Sequence, residues 1–117
     1  YQIDYDTWTL TGKEYPVGVK CGHADYSKAQ DVWAIINHND NFLSLIDMSD
    51  DSITNIVVST AVSGSGFIQS HANHISGDGR FYYFFEAVEG IFIEIDLSTK
   101  VLSRQVVTGG KPVQSYS

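Results

Sequence analysis

Two stretches of the chain align without a gap: Asp31–Ser59 superposes on Arg80–Thr108 at a constant offset of 49 residues. In that register Val32-Trp33-Ala34-Ile35-Ile36 stands over Phe81-Tyr82-Tyr83-Phe84-Phe85, and Phe42-Leu43-Ser44-Leu45-Ile46-Asp47 over Ile91-Phe92-Ile93-Glu94-Ile95-Asp96. Further on, Met48-Ser49 matches Leu97-Ser98, Ile53 matches Leu102, and Val57-Val58-Ser59 matches Val106-Val107-Thr108. A partial third copy opens the chain, where Ile3-Asp4 matches Ile46-Asp47 and Leu10 matches Ile53 at an offset of 43. A repeat of this length is one supersecondary unit, which buries its apolar surface by stacking on its neighbours.

The runs inside each repeat are β-branched and aromatic, and Gly, Asn and Asp separate them; helix-period segments with caps are hard to find. Four strands per repeat are expected, near 18–26, 32–37, 41–47 and 53–59, then 66–75, 80–86, 90–96 and 101–108. Further strands are expected near 1–5, 8–16 and 112–117. Four antiparallel strands at this period are what one blade of a β-propeller requires, whereas a β-sandwich has no reason to repeat its sequence. The expected fold is therefore all-β: a β-propeller segment of two complete four-stranded antiparallel blades plus parts of the two neighbouring blades. The chain reads as a single segment over 1–117, with the end of a preceding blade at 1–16, blades at 17–59 and 66–108, and the first strand of a following blade at 111–117. Because a blade packs on both sides, its middle strands Val32–Ile36 and Phe81–Phe85 are expected to be apolar on both faces.

At 117 residues and 43% hydrophobic content the chain can bury one ordinary core. Its 14 acidic and 7 basic residues give a formal charge of -7, which repels phosphate and excludes a basic nucleic-acid or anionic-membrane surface. No apolar run approaches the ~20 residues that span a bilayer, so no membrane insertion is expected. The single cysteine, Cys21, rules out an internal disulfide framework. Abundant Tyr, Ser, Asn, Asp and Gly lean toward an extracytoplasmic setting, periplasmic or secreted. The chain is expected to be an excerpt of a longer polypeptide, its partners being the remaining blades; association of several copies into a ring or filament is the alternative.

His71 heads an innermost strand, eight residues before Gly79. His23 begins a matching His-Ala-Asp motif at an offset of 48, with a one-residue gap placed between it and Asp31. Innermost strands line a propeller's axis, so both histidines are expected at one channel rim as candidate metal or ligand positions. Cys21 lies two residues before His23, which on a regular strand puts both side chains on one face, where thiolate and imidazole could hold copper or zinc. The bland alternatives are rim histidines bonded to backbone and a small buried cysteine. His74 is a weaker candidate, and His38, within Asn37-His-Asn-Asp-Asn41, reads as a solvated turn.

Asp4, Asp47 and Asp96 recur at one structural position, which points to turn-capping rather than chemistry, since a reaction needs one acid and not one per repeat. Asp78-Gly79 reads as a hairpin turn with glycine at positive φ, Asp47–Asp51 as a solvated turn rather than a calcium loop, and Ser63-Gly-Ser-Gly66 as the linker between blades. No nucleophile elbow, phosphate-binding glycine loop or zinc-protease helix occurs. Catalytic residues are unassigned.

The phrases Ile36–Asp47, His71-x-x-x-x-Ser-Gly-Asp-Gly-Arg-Phe-Tyr83, Ile95-Asp-Leu-Ser-Thr-Lys100 and Val107-Thr-Gly-Gly-Lys-Pro112 resemble YVTN-type propeller repeats. This group includes the haem d1 domain of cytochrome cd1 nitrite reductases and the related nitrous oxide reductase propellers. The resemblance covers nearly the whole chain and implies a propeller. The spacing of His71 to its turn resembles that of the histidine ligating haem iron in the d1 domain, and nitrous oxide reductase gathers copper with histidines from several blades. Haem d1 or copper is thus an implied cofactor. Three functions follow: a scaffold or binding module with a site at the channel rim, a fragment of a nitrite or nitrous oxide reductase-like redox enzyme, or a self-assembling structural subunit. No Cys-x-x-Cys-His haem-attachment motif is present, which weighs against the second.

Overall fold

The computed structural model of the chain describes residues 1–4, 6–18, 21–58, 73–86 and 90–108. Ten strands form: β1 (Ile3–Asp4), β2 (Thr9–Leu10), β3 (Cys21–Ser27), β4 (Val32–Asn37), β5 (Phe42–Asp47), β6 (Ser52–Val57), β7 (Asn73–Ile75), β8 (Phe81–Glu86), β9 (Ile91–Asp96) and β10 (Val101–Val107). No helix occurs among the described residues. The strands make two four-stranded antiparallel sheets in sequential order, β3-β4-β5-β6 and β7-β8-β9-β10, and a small hairpin, β1-β2. The long strand expected over 8–16 is only Thr9–Leu10, and the strand expected over 66–75 is described only at Asn73–Ile75. The strand expected at 111–117 and the Ser63–Gly66 linker lie outside the described residues.

The sequence offset is reproduced in the ladders. Trp33 pairs with Ile46 and Ile46 with Ile53 in the first sheet; Tyr82 pairs with Ile95 and Ile95 with Leu102 in the second; Ile3 pairs with Leu10 in the hairpin. Turn chemistry repeats as well. The Oδ1 atoms of Asp4, Asp47 and Asp96 accept the backbone amides of Asp6, Ser49 and Ser98, each at 2.9 Å. Trp8, Asp51 and Lys100 then take left-handed backbone at φ of 56°, 60° and 58°, so each hairpin closes in the same conformation.

Each sheet has two faces. The leading face of the first carries Trp33, Ile35 and Ile46; its trailing face carries Val32, Ala34, Ile36, Leu43 and Leu45. By the same pairing rule the leading face of the second sheet carries Tyr82, Phe84, Ile93 and Ile95, and its trailing face Phe81, Tyr83, Phe85 and Phe92. The core forms where the first sheet's trailing face meets the second sheet's leading face, joining Ala34, Ile36, Leu43 and Leu45 with Tyr82, Phe84, Ile93 and Ile95, all fully buried. Full burial of side chains this size contributes about 1.5–3 kcal/mol each.

The contact also has a polar component. Asn73 and the Tyr82 hydroxyl, the latter at 3.1 Å, both donate to Asp25 Oδ2. Burial first, then the Asp25 carboxylate, pushes the Tyr82 hydroxyl well above its ordinary range. Lys100 Nζ reaches Asp47 Oδ2 at 2.9 Å, tying the two sheets at their outer corner.

Both faces of the middle strands carry apolar side chains: Trp33 and Ile35 opposite Val32, Ala34 and Ile36 on β4, and Tyr82 and Phe84 opposite Phe81, Tyr83 and Phe85 on β8. Among the described residues β8 alternates partly buried Phe81, Tyr83 and Phe85 with buried Tyr82, Phe84 and Glu86.

Candidate functional site

The candidate site lies where β3 begins beside the β4–β5 turn. Here the ladder is irregular: Cys21 pairs with Asn37, yet Ala24 pairs with Ile35, so three steps on β3 match two on β4. This β-bulge places the extra residue at Gly22-His23 and changes which way their side chains face. Cys21 opens on the leading side, lining a groove of about 430 Å3 with Tyr1, Tyr15, Trp33, Ile35 and Ile46. His23 turns to the opposite side, where its ring lies 5.7 Å from that of His38 at an interplanar angle of 45°. The shared Cys21–His23 face expected from a spacing of two is therefore corrected, because that inference holds only for an unbulged strand.

Gly22 makes the His23–His38 approach possible. A Cβ at this position would lie 2.7 Å from His38 Cε1, so the imidazole occupies the space a side chain would take. His38 is half-buried with Nε2 enclosed, and it packs on β3 rather than forming the solvated turn its neighbours' composition implied. Asn37 is also buried. Its Oδ1 accepts the Gly18 amide at 3.0 Å, and its Nδ2 donates to the Phe42 carbonyl and to Ser44 Oγ, both at 3.0 Å. Ser44 continues the chain to Asn55 Oδ1 at 2.7 Å. This network fixes the turn bearing His38, so one ring is held by a rigid hairpin and the other by the bulge.

Sequence reasoning missed His38, although a glycine inside a strand is a bulge signal and pointed to this spot. His71 lies outside the described residues. His74 is exposed and pairs with Tyr83, which places it on the second sheet's trailing face, away from the side His23 occupies. The ladders also equate Ala24 with Asn73, through Ala24–Ile35 and Asn73–Phe84, one residue off the match of His-Ala-Asp to His-Ala-Asn.

Other candidates resolve as structural parts. Asp51 accepts from Lys13 Nζ at 3.0 Å and the Tyr15 hydroxyl at 2.8 Å, holding the N-terminal segment to the first sheet. Asp78 Oδ1 accepts Ser76 Oγ and the Arg80 amide, and Gly79 at φ 76° completes that turn. No group of three or more His, Cys, Asp or Glu positioned to hold a metal occurs among the described residues. These residues do not by themselves complete a copper or haem site. Two imidazoles in fixed relation can supply part of a metal's ligand set or exchange a proton with a bound ligand.

Two sequential four-stranded antiparallel sheets, stacked face to face, are consistent with a β-propeller-like fold. A solved structure with this likeness is Kuenenia stuttgartiensis hydrazine synthase, at a TM-score of 0.62 and 18% identity over 90% of this chain. The chain spans 28% of the length of that protein, and at this identity the likeness concerns the fold alone. No protein-family model and no curated protein matches the sequence.

Proposed function

We propose that the chain is a two-blade segment of a β-propeller scaffold, carrying a ligand or metal position at the inner end of its first blade, with His23 and His38 as the contributing side chains. The observation that carries the scaffold reading is the repetition of strand order, ladder register and capping aspartates at the sequence offset, in two sheets that stack trailing face on leading face. The quoted resemblance to YVTN-type repeats supports it from the sequence. The site reading rests on the His23–His38 pair, two imidazoles on separate strand ends brought together at a bulge where the His38 ring packs over Gly22 in the space a Cβ would take.

Titration of the metal-free protein with Cu2+, Ni2+ or Zn2+, followed by calorimetry and imidazole NMR shifts, tests the site. The expected result is one stoichiometric site weakened at least tenfold by His23→Ala and by His38→Ala, and unchanged by His74→Ala. Binding indifferent to His23 and His38 would remove the rim site and leave the scaffold reading standing. The redox alternative, with haem d1 or copper, makes the stronger demand of a coloured protein whose absorption depends on His71.

A further inference from the structure

Two polar contacts join the sheets along β3 and β7, the strands that head them. Asp25 pairs with Ala34 and so lies on the first sheet's trailing face; Asn73 pairs with Phe84 and so lies on the second sheet's leading face. Asn73 and the Tyr82 hydroxyl both donate to Asp25 Oδ2. Two residues further along β3, the buried Ser27 hydroxyl donates to the Gly79 carbonyl. Gly79 approaches β3 so closely that a Cβ on it would stand 2.7 Å from Ala29 Cβ.

The centre of the contact is apolar and periodic. Ala34, Ile36, Leu43 and Leu45 meet Phe84, Ile93 and Ile95, and every second residue of a strand points the same way. Sliding one sheet over the other by two residues, ~6.6 Å, sets apolar side chains against apolar side chains again. Hydrophobic burial is non-directional and separates such registers weakly. The polar contacts separate them sharply, because the slide takes the acceptor from the fully buried Tyr82 hydroxyl and leaves its desolvation uncompensated. The Lys100–Asp47 pair at the outer corner rides on a flexible four-carbon stem and discriminates less.

We infer that Asp25 and Ser27 choose the register in which the second blade docks on the first, while the apolar side chains supply most of the attraction. A single polar residue in a coiled-coil seam fixes register in the same way, at a cost in stability. His23 lies two residues before Asp25 on the same face, so the register also decides which part of the second blade stands across from the His23–His38 pair.

Methyl–aromatic NMR and urea unfolding of the whole chain test this in two variants. Asp25→Ala/Ser27→Ala/Tyr82→Phe removes both polar contacts and the buried hydroxyl with them. It should stay folded, with a urea midpoint within about 1 M of wild type, yet show two sets of cross-peaks from the Leu43 and Leu45 methyls to the Phe84 ring where wild type shows one. Tyr82→Phe alone keeps Asn73 on Asp25 and Ser27 on Gly79, and should show one set. A triple variant with the single wild-type set would mean that apolar packing sets the register. An unfolded triple variant would mean that the polar contacts hold the blades together rather than choose between registers. Either result overturns the inference, as do two sets in Tyr82→Phe.

Discussion

Phe84 and Phe85 are neighbours on one strand and identical in chemistry, so replacing each by alanine isolates the effect of facing. Phe84 is fully buried between the sheets, in a cluster with Ile36, Leu43 and Ile93, and its ring lies 5.6 Å from that of Tyr82. Removing it deletes a packed aromatic and leaves a cavity walled by two sheets, at a cost of about 3–5 kcal/mol. Phe85 is partly buried on the trailing face against Phe92, outside the contact between the two sheets, and truncating it loses about 1 kcal/mol of burial. With a urea m-value of about 2 kcal/mol/M, that gap of about 2–4 kcal/mol separates the two unfolding midpoints by about 1–2 M. Urea unfolding of dilute protein, followed by far-UV circular dichroism and by tyrosine fluorescence, measures both variants on one scale. Equal losses, or a greater loss for Phe85→Ala, would show that the second sheet does not present Tyr82 and Phe84 to the first.

Two further outcomes follow from the turns. Gly22→Ala drives a methyl to within 2.7 Å of the His38 ring and should cost about 1–3 kcal/mol. His38→Ala should restore much of that loss in the double variant, and strictly additive losses would contradict the packing of His38 over Gly22. Asp47 is held at about 2, below its ordinary 3.8, by the Ser49 hydroxyl first, then Lys100, then the Ser49 amide. Its contribution is therefore present above about pH 4 and lost as pH falls through about 2, and Asp47→Asn should flatten the acid limb of the stability curve over that window. An unchanged acid limb would refute the assignment.

The repeat was legible because it is written twice in full and once in part. The offset that aligns Trp33 with Tyr82 and Ile46 with Ile95 also aligns their ladders, so strand order followed from the residues. The recurrence of Asp4, Asp47 and Asp96 likewise identified turn caps. What escaped were features that depend on a neighbour. Burial of alternate residues in β8 is decided by which sheet lies opposite, and the pattern Phe-Tyr-Tyr-Phe-Phe carries no mark of it. The Cys21–His23 relation failed because a single bulge inverts the faces on its two sides. His38 and Asn37 sit in a polar run whose composition reads as solvent-facing, yet a hairpin that folds back on β3 encloses both.

Methyl–aromatic NOEs in the intact chain report whether the first sheet's trailing face packs on the second sheet's leading face. Strong cross-peaks are expected from the Ala34, Ile36, Leu43 and Leu45 methyls to the Tyr82 and Phe84 rings and none to Phe81 or Phe85. Cross-peaks from those methyls to Phe81 and Phe85 instead would contradict that packing.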